Sequence, residues 1–253
     1  MGNIKLGLIG ILRDELKNDF WGTMEKVAAI GYQGIEGGTE ALLEGDVEAN
    51  LTRFNNLGLE VITYSASREQ LENELEAVIA NAKALKAPHV SIWWAPCTTR
   101  EEVLRDAETY NAAGKRLAAE GLKLCYHNHD HEFKRNFNGL NAIDLLAEYT
   151  DPGALYFELD VAWITLGGAD PVHILKKMAG RVPAIHIKDV YGIDEIGKWT
   201  AVGTGVVNIA DSIRTAEEMG VKWMVVEQDQ LRNLSPIETV TVSYLNLKEK
   251  GLV

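Results

Sequence analysis

The sequence predicts a single (β/α)8 barrel spanning residues 1–253, and three observations lead there. Short apolar runs rich in β-branched and aromatic residues recur eight times, each followed by a longer segment with helical spacing and charged faces. The runs start 25 to 41 residues apart, the reach of a strand–helix–strand unit. Eight such units in 253 residues match the count and size of a closed α/β barrel.

The strands are read in order from near Ile4 (IKLGLIGI), Gly34 (GIEGG), Leu59 (LEVITYSA), His89 (HVSIWW), Lys123 (KLCYHNH), Leu155 (LYFELDVAW), Val182 (VPAIHIKDV) and Trp223 (WMVVEQDQ). Segments such as LENELEAVIANAKAL and REEVLRDAETYNAAGKRLAAEG are amphipathic helices, several closing with Gly before the next strand. A doubly wound open sheet would favour a Gly-rich phosphate turn after the first strand. Gly7-Leu8-Ile9-Gly10-Ile11-Leu12 lacks the third glycine of that fingerprint. The longest connection, 190–207, lies between strands seven and eight, and its Gly192, Gly197, Gly203 and Gly205 suggest a mobile active-site loop.

Lys and Arg number 25 against 37 Asp and Glu, a net charge of −12 that repels phosphate backbones and argues against a nucleic-acid partner. The two cysteines, Cys97 and Cys125, read as small core residues of a protein from a reducing compartment, the cytoplasm. No basic segment precedes the first apolar run, and no apolar run approaches the roughly 20 residues that span a bilayer, so neither export nor a membrane is expected. A homo-oligomer stays open.

Barrel active sites sit at the C-terminal ends of the strands. Here four consecutive ends carry residues that a packed barrel would not choose: His127-Asn128-His129-Asp130-His131-Glu132, Glu158-Leu159-Asp160, His186-Ile187-Lys188-Asp189 and Glu227-Gln228-Asp229. Strand side chains alternate faces, so His127 with His129, Glu158 with Asp160, His186 with Lys188, and Glu227 with Asp229 should share the lumen side. Burying so much charge without compensation would cost several kcal/mol per ion. A shared divalent cation is the simplest compensation, an internal ion-pair network the competing one. Oxygen and imidazole donors suit Mn²⁺, Mg²⁺, Co²⁺, Fe²⁺ or Zn²⁺, and Mn²⁺ is the ion we favour. His89, at the opposite face, and His173, in a helix, read as structural. Trp21, Trp93, Trp94, Trp163 and Trp199 gather towards the mouth, where aromatic faces can stack on a sugar.

YHNHDHEF, ELDVAWITLGG, HIKD, VGTGVVNI and VVEQDQ, with GYQGIE entering strand two, resemble the xylose-isomerase-like sugar phosphate isomerase/epimerase superfamily, which also includes AP endonucleases. In its epimerase branch the resemblance implies one metal held by Glu, Asp, His and Glu from strands five to eight. Asp160, His186 and Glu227 match the last three, and at strand five this chain offers His127 in place of Glu. His127 rather than His129 is therefore expected as the fourth ligand, and the YHNH pattern looks most like the inosose dehydratase and isomerase branches. The AP endonucleases need a three-metal cluster with histidines from strands two to four, where this chain has Glu36, Ser65 or Ser67, and Trp93 with Trp94.

The resemblance implies a metal-dependent isomerase or epimerase that removes a proton beside the carbonyl of a keto-sugar, a keto-inositol or a phosphate of one. A lyase that expels water from the same enediolate is the second reading, and a catalytically silent sugar-binding barrel the third. Glu132, His129 and Lys188 are the candidates for acid–base work. Glu36, Trp93, Trp94, Glu158, Trp163 and Asp229 are expected to meet the substrate, with Glu158 equally suited to orienting a ligand.

Overall fold

The structure, a computed structural model, describes residues 4–194 and 197–253. Its barrel strands are β1 (Lys5–Ile9), β2 (Gly34–Glu36), β3 (Glu60–Ser65), β4 (His89–Ile92), β5 (Lys123–His127), β6 (Leu155–Asp160) and β7 (Ala184–Ile187). After β8 (Asp189–Val190) and β9 (Trp199–Thr200), which pair with each other, β10 (Trp223–Val226) returns to the barrel. The eight parallel strands close in the order β1-β2-β3-β4-β5-β6-β7-β10. They start within two residues of the positions expected from the sequence but end sooner. The first run stops at Ile9, because Gly10 turns the chain with a φ of 76°.

The lumen is apolar at its base and ionic at its top. Ile62, Ala184, Trp223 and Val225 form the basal plug, and two glycines make room for it. A Cβ on Gly34 would lie 2.6 Å from the Trp223 ring, and one on Gly7 would lie 2.3 Å from Ile62 Cδ1. Two positions beyond Gly34 on the same face comes Glu36. Two beyond Ala184 comes His186, and two beyond Val225 comes Glu227, so alternation alone carries each strand from plug to site. The β2–β3 register shifts between Ile35 and Glu36, the kind of irregularity that re-aims a side chain beside a site.

Outward-facing residues such as Tyr126, Phe157 and Leu159 join the large core under the helices. The long helix Arg100–Ala119 sits close against the barrel through Gly114, where a Cβ would come within 2.0 Å of the Ala154 carbonyl oxygen. Asp160 caps the helix Val161–Leu166 by accepting from the Trp163 N–H at 2.8 Å, which fixes this strand-six carboxylate at the barrel top. No helix of the described residues is long and apolar enough to cross a membrane.

The connection expected to be a mobile loop is pinned at both ends. Its two middle residues, 195 and 196, lie outside the described residues, as do residues 1–3. Around them β8 and β9 form a small antiparallel ladder, and Asp189 gathers the return of the chain. The Asp189 carboxylate accepts from the backbone N–H groups of Val190 (3.0 Å), Gly203 (3.0 Å), Gly205 (2.8 Å) and Val207 (3.1 Å). A Cβ on Gly205 would lie 2.2 Å from the Val190 carbonyl oxygen, so glycine is required there by close approach. The VGTG motif thus wraps an internal carboxylate.

Asp189→Ala strips these donors of their acceptor, and unfolding free energy should fall by roughly 2–4 kcal/mol, the scale for losing charge-assisted hydrogen bonds. Urea denaturation measures it; an unchanged midpoint would show that the 189–207 connection does not depend on this anchor.

Candidate metal and active site

Four strand ends bring one donor set together. His127 on β5, Asp160 on β6, His186 on β7 and Glu227 just beyond β10 each offer a ligand atom, and these atoms lie within 4.8 Å of one another. All four side chains are buried. His186 is at the centre, its Nδ1 2.8 Å from Glu227 Oε2 and its Nε2 3.1 Å from Glu36 Oε2. Glu158 Oε2 lies 3.7 Å from the same Nε2 and accepts from the Ser91 hydroxyl at 2.6 Å. One face of the imidazole therefore turns to the donor set and the other to a carboxylate pair, the outer contact that orients a metal-binding histidine.

Lys188 forms a second hub. Its Nζ is 3.0 Å from Glu227 Oε2, 3.0 Å from Asp229 Oδ1 and 3.3 Å from Asp160 Oδ2. The ammonium also lies 5.4 Å from the Trp163 ring and 5.5 Å from that of Trp199, favourable cation–π placements.

These contacts set the protonation of the metal-free site. Burial works against charge on His186, but Glu36 and Glu158 outweigh it and hold its pKa well above the ordinary value. Burial works against Lys188 in the same way, and Glu227, Asp160 and Asp229 overcome it. Glu227 runs opposite: despite burial, Lys188 and His186 keep it well below the usual carboxylate range. Burial and the neighbouring Glu158 push Glu36 up to about 7, and burial, opposed by Lys188, pushes Asp160 up to about 6. Burial and then His186 drive His127 far down, while burial and then Lys188 bring His129 to about 4.

A divalent cation fits this donor set. Imidazole and carboxylate donors converge from four strands. His127 Nδ1 is buried with no hydrogen-bond partner, and Asp160 Oδ2 makes no hydrogen bond, having only its longer ion pair to Lys188. The donors are hard to borderline, which suits Mn²⁺, Co²⁺, Fe²⁺ or Zn²⁺.

A cavity of about 880 Å³ opens above the cluster, and Glu36, Trp93, His127, His129, His186, Glu227 and Asp229 line it. Trp93 is 59% exposed at its rim. His129 stands 5.0 Å from the His127 ring and 5.3 Å from that of Trp163, with a buried Nδ1 that has no partner. Glu158 lies beneath His186 as one of its carboxylate neighbours. Trp94 packs near His131 instead, the rings 6.2 Å apart. Trp163 and Trp199 meet edge to face at 4.7 Å behind Lys188, and Trp21 lies under Arg53.

Glu132 falls elsewhere. It is 0% exposed and accepts from the Tyr126 hydroxyl at 2.8 Å and from the His129 N–H at 2.9 Å. Tyr126 precedes His127 on β5 and so faces the opposite side of the barrel wall. Against the expectation of Glu132 as proton acceptor stands this placement: both oxygens of its carboxylate are engaged, one by the Tyr126 hydroxyl and one by the loop that carries His129. Arg13 and Lys17, from the helix Arg13–Asn18, do line the cavity, although the sequence reading had not singled them out. Their spacing of one helical turn directly after β1 was the available signal.

The sequence profile described as Xylose isomerase-like TIM barrel matches residues 24–241. An inosose dehydratase of Klebsiella pneumoniae (strain 342) is 27% identical, the match covering 90% of this chain and 91% of that protein. Among solved structures, a sugar phosphate isomerase/epimerase from Parabacteroides distasonis ATCC 8503 superposes with a TM-score of 0.84 at 22% identity, covering 100% of this chain and 96% of its own. The IOLI protein, solved with a zinc atom bound, gives a TM-score of 0.75 at 14% identity, with 97% of each chain covered.

The protonation pattern has a consequence for stability. In the metal-free protein His186 and Glu36 hold protons more tightly than in the unfolded chain, where such groups titrate near about 6.5 and 4.3. Above about pH 6.5 the native state then binds more protons than the unfolded state, so stability falls as pH rises. His127, His129 and His89, lowered chiefly by burial, act in the opposite sense, but only below about pH 6.5 where the unfolded chain takes up their protons. The thermal midpoint of chelator-treated protein should therefore drop between about pH 6.5 and 8. A midpoint that climbs across this window would contradict a protonated His186.

Proposed function

The chain belongs to the xylose isomerase-like TIM barrel family, and on that premise we propose that it is a metal-dependent enzyme that removes a proton beside the carbonyl of a keto-inositol or keto-sugar and then expels a hydroxyl as water. The observation that carries this reading is the pairing of one neutral imidazole, His129, with one buried ammonium, Lys188, beside a donor set suited to a metal. His127, Asp160, His186 and Glu227 would hold the ion, with Glu36 and Glu158 orienting His186 from behind. A divalent ion there supplies Lewis-acid polarisation of the carbonyl and its neighbouring hydroxyl, which acidifies the adjacent C–H bond.

The chain's own groups do the rest. His129 lines the cavity and takes up the proton. Lys188, buried among Asp229, Glu227 and Asp160, supplies positive charge beside the donor set, where it helps to stabilise negative charge that develops on the substrate. Trp163 and Trp199 cover the ammonium and keep water from it. Loss of water also needs a proton on the departing hydroxyl, and the protonated His129 supplies the one it took from carbon. The sequence similarity to an inosose dehydratase over nearly the whole of both chains supports the same choice. Isomerisation shares the first step and differs in returning the proton to the neighbouring carbon, which His129 could also do once protonated. Cys97 and Cys125 are free and buried, in keeping with the cytoplasmic setting we propose.

Incubating Mn²⁺-loaded protein with a panel of keto-inositols and keto-sugars in deuterated water tests the reading. We expect deuterium beside the carbonyl and a product lighter by one water. Deuterium in a product of otherwise unchanged composition would assign isomerisation instead, and neither exchange nor loss of water with any member of the panel would defeat both. His129→Gln should retain its metal and lose about two to four orders of magnitude in turnover, the usual size of a general-base contribution.

A further inference from the structure

A second cluster of metal-binding side chains lies on the outer side of β5, separated by the strand from the lumen. Cys97, His131 and Glu132 each offer a donor atom, and these atoms lie within 4.8 Å of one another. Cys97 and Glu132 are buried, and the His131 side chain is 21% exposed. Cys97 belongs to the connection after β4, and the other two to the connection after β5, which also carries His129.

Hydrogen bonding fixes the state of the imidazole. His131 Nε2 lies 2.8 Å from the Ala95 carbonyl oxygen, which can only accept, so Nε2 carries a proton. In the neutral ring Nδ1 is then a bare lone pair, and it faces Glu132 Oε2 at 3.4 Å. Both carboxylate oxygens of Glu132 already accept hydrogen bonds, Oε1 from Tyr126 and Oε2 from the His129 N–H. Two acceptors thus confront each other in a buried place, and something positive belongs between them: a proton shared by the carboxylate and the ring, or a metal ion.

The surroundings favour the ion. A ring N–H held by a backbone carbonyl, and a carboxylate held by its own donors, are the outer contacts that orient metal ligands. The Cys97 sulfur is the third donor. Its backbone has a φ of 48°, a left-handed conformation that a residue with a side chain keeps only where its surroundings enforce it. We propose that Cys97, His131 and Glu132 form a separate site for a zinc-class ion, which ties the loop after β4 to the loop that presents His129. One thiolate, one imidazole and one carboxylate suit Zn²⁺ or Co²⁺, with water in the fourth position. Binding forms the metal–sulfur bond and releases the thiol proton to solvent.

Cobalt alone serves as the probe, because a thiolate ligand gives Co²⁺ a near-ultraviolet charge-transfer band that the oxygen and imidazole donors of the lumen cannot produce. The readout is therefore independent of the lumen site and of turnover. Titrating the full chain with Co²⁺ should develop this band together with uptake of a second equivalent of metal. Cys97→Ser should abolish the band and that equivalent while Cys125→Ser leaves both. His131→Gln, at a partly exposed position, should also lose the band, and it answers the question if the Cys97 variant fails to fold. No band in the wild-type protein at saturating Co²⁺, or a band that survives either the Cys97 or the His131 substitution, would overturn the proposal and leave a proton as the occupant.

Discussion

The upper lumen holds Glu36, Glu158, Asp160 and Glu227 in a space where each is buried, and their charges have to be answered from within. Carboxylates placed there alone would each cost several kcal/mol in lost hydration. His186 and Lys188 answer them in the metal-free protein, one among Glu36, Glu158 and Glu227, the other among Glu227, Asp160 and Asp229. The pattern of shifts follows: the two cations are held protonated, Glu227 between them stays ionised, and Glu36, buried beside Glu158, rises towards neutrality. A metal at this place would take over from the proton on His186 the task of compensating charge, so protons and metal compete for the same cluster.

That competition is possible because the barrel separates two environments with a single rule. On β7 and β10 the inward residue at the base is Ala184 or Trp223, and successive inward residues lead up to His186 or Glu227. The base can be dry and close-packed only because Gly7 and Gly34 leave room for Ile62 and Trp223. The apolar plug in turn closes the lumen below the charged cluster, leaving the cavity at the top as its route to substrate.

The same rule explains what could be read in the sequence. Pairs of titratable residues two apart at four consecutive strand ends must point inward together if the strands continue, and His127, Asp160, His186 and Glu227 do converge. Alternation stops being informative where the strand stops. β5 ends at His127, so the direction of Glu132 depended on a short helical turn and on the Tyr126 hydroxyl, and a residue that looked like a base faces the outer wall. The connection 190–207 misled for a related reason: its glycines suggest freedom, yet Gly205 is needed for close approach to Val190, and the Asp189 carboxylate supplies an anchor that no local pattern encodes. Glu36 meets His186 across 150 positions of sequence, a contact created by barrel closure.

β5 is where these threads meet. Its inward face offers His127 to the lumen donor set, and its outward face offers Tyr126 to Glu132, which grips the backbone N–H of His129. The position of the proposed proton acceptor is therefore set from outside the barrel, by a buried carboxylate. Such an arrangement keeps the carboxylate from adding another negative charge to a lumen already crowded with them, while still using its hydrogen bonds to orient the imidazole. A carboxylate moved into the lumen would bring its charge close to His129 and raise the imidazole towards protonation. Burial and then Lys188 instead keep the ring neutral, which is the state that proton removal beside a carbonyl demands.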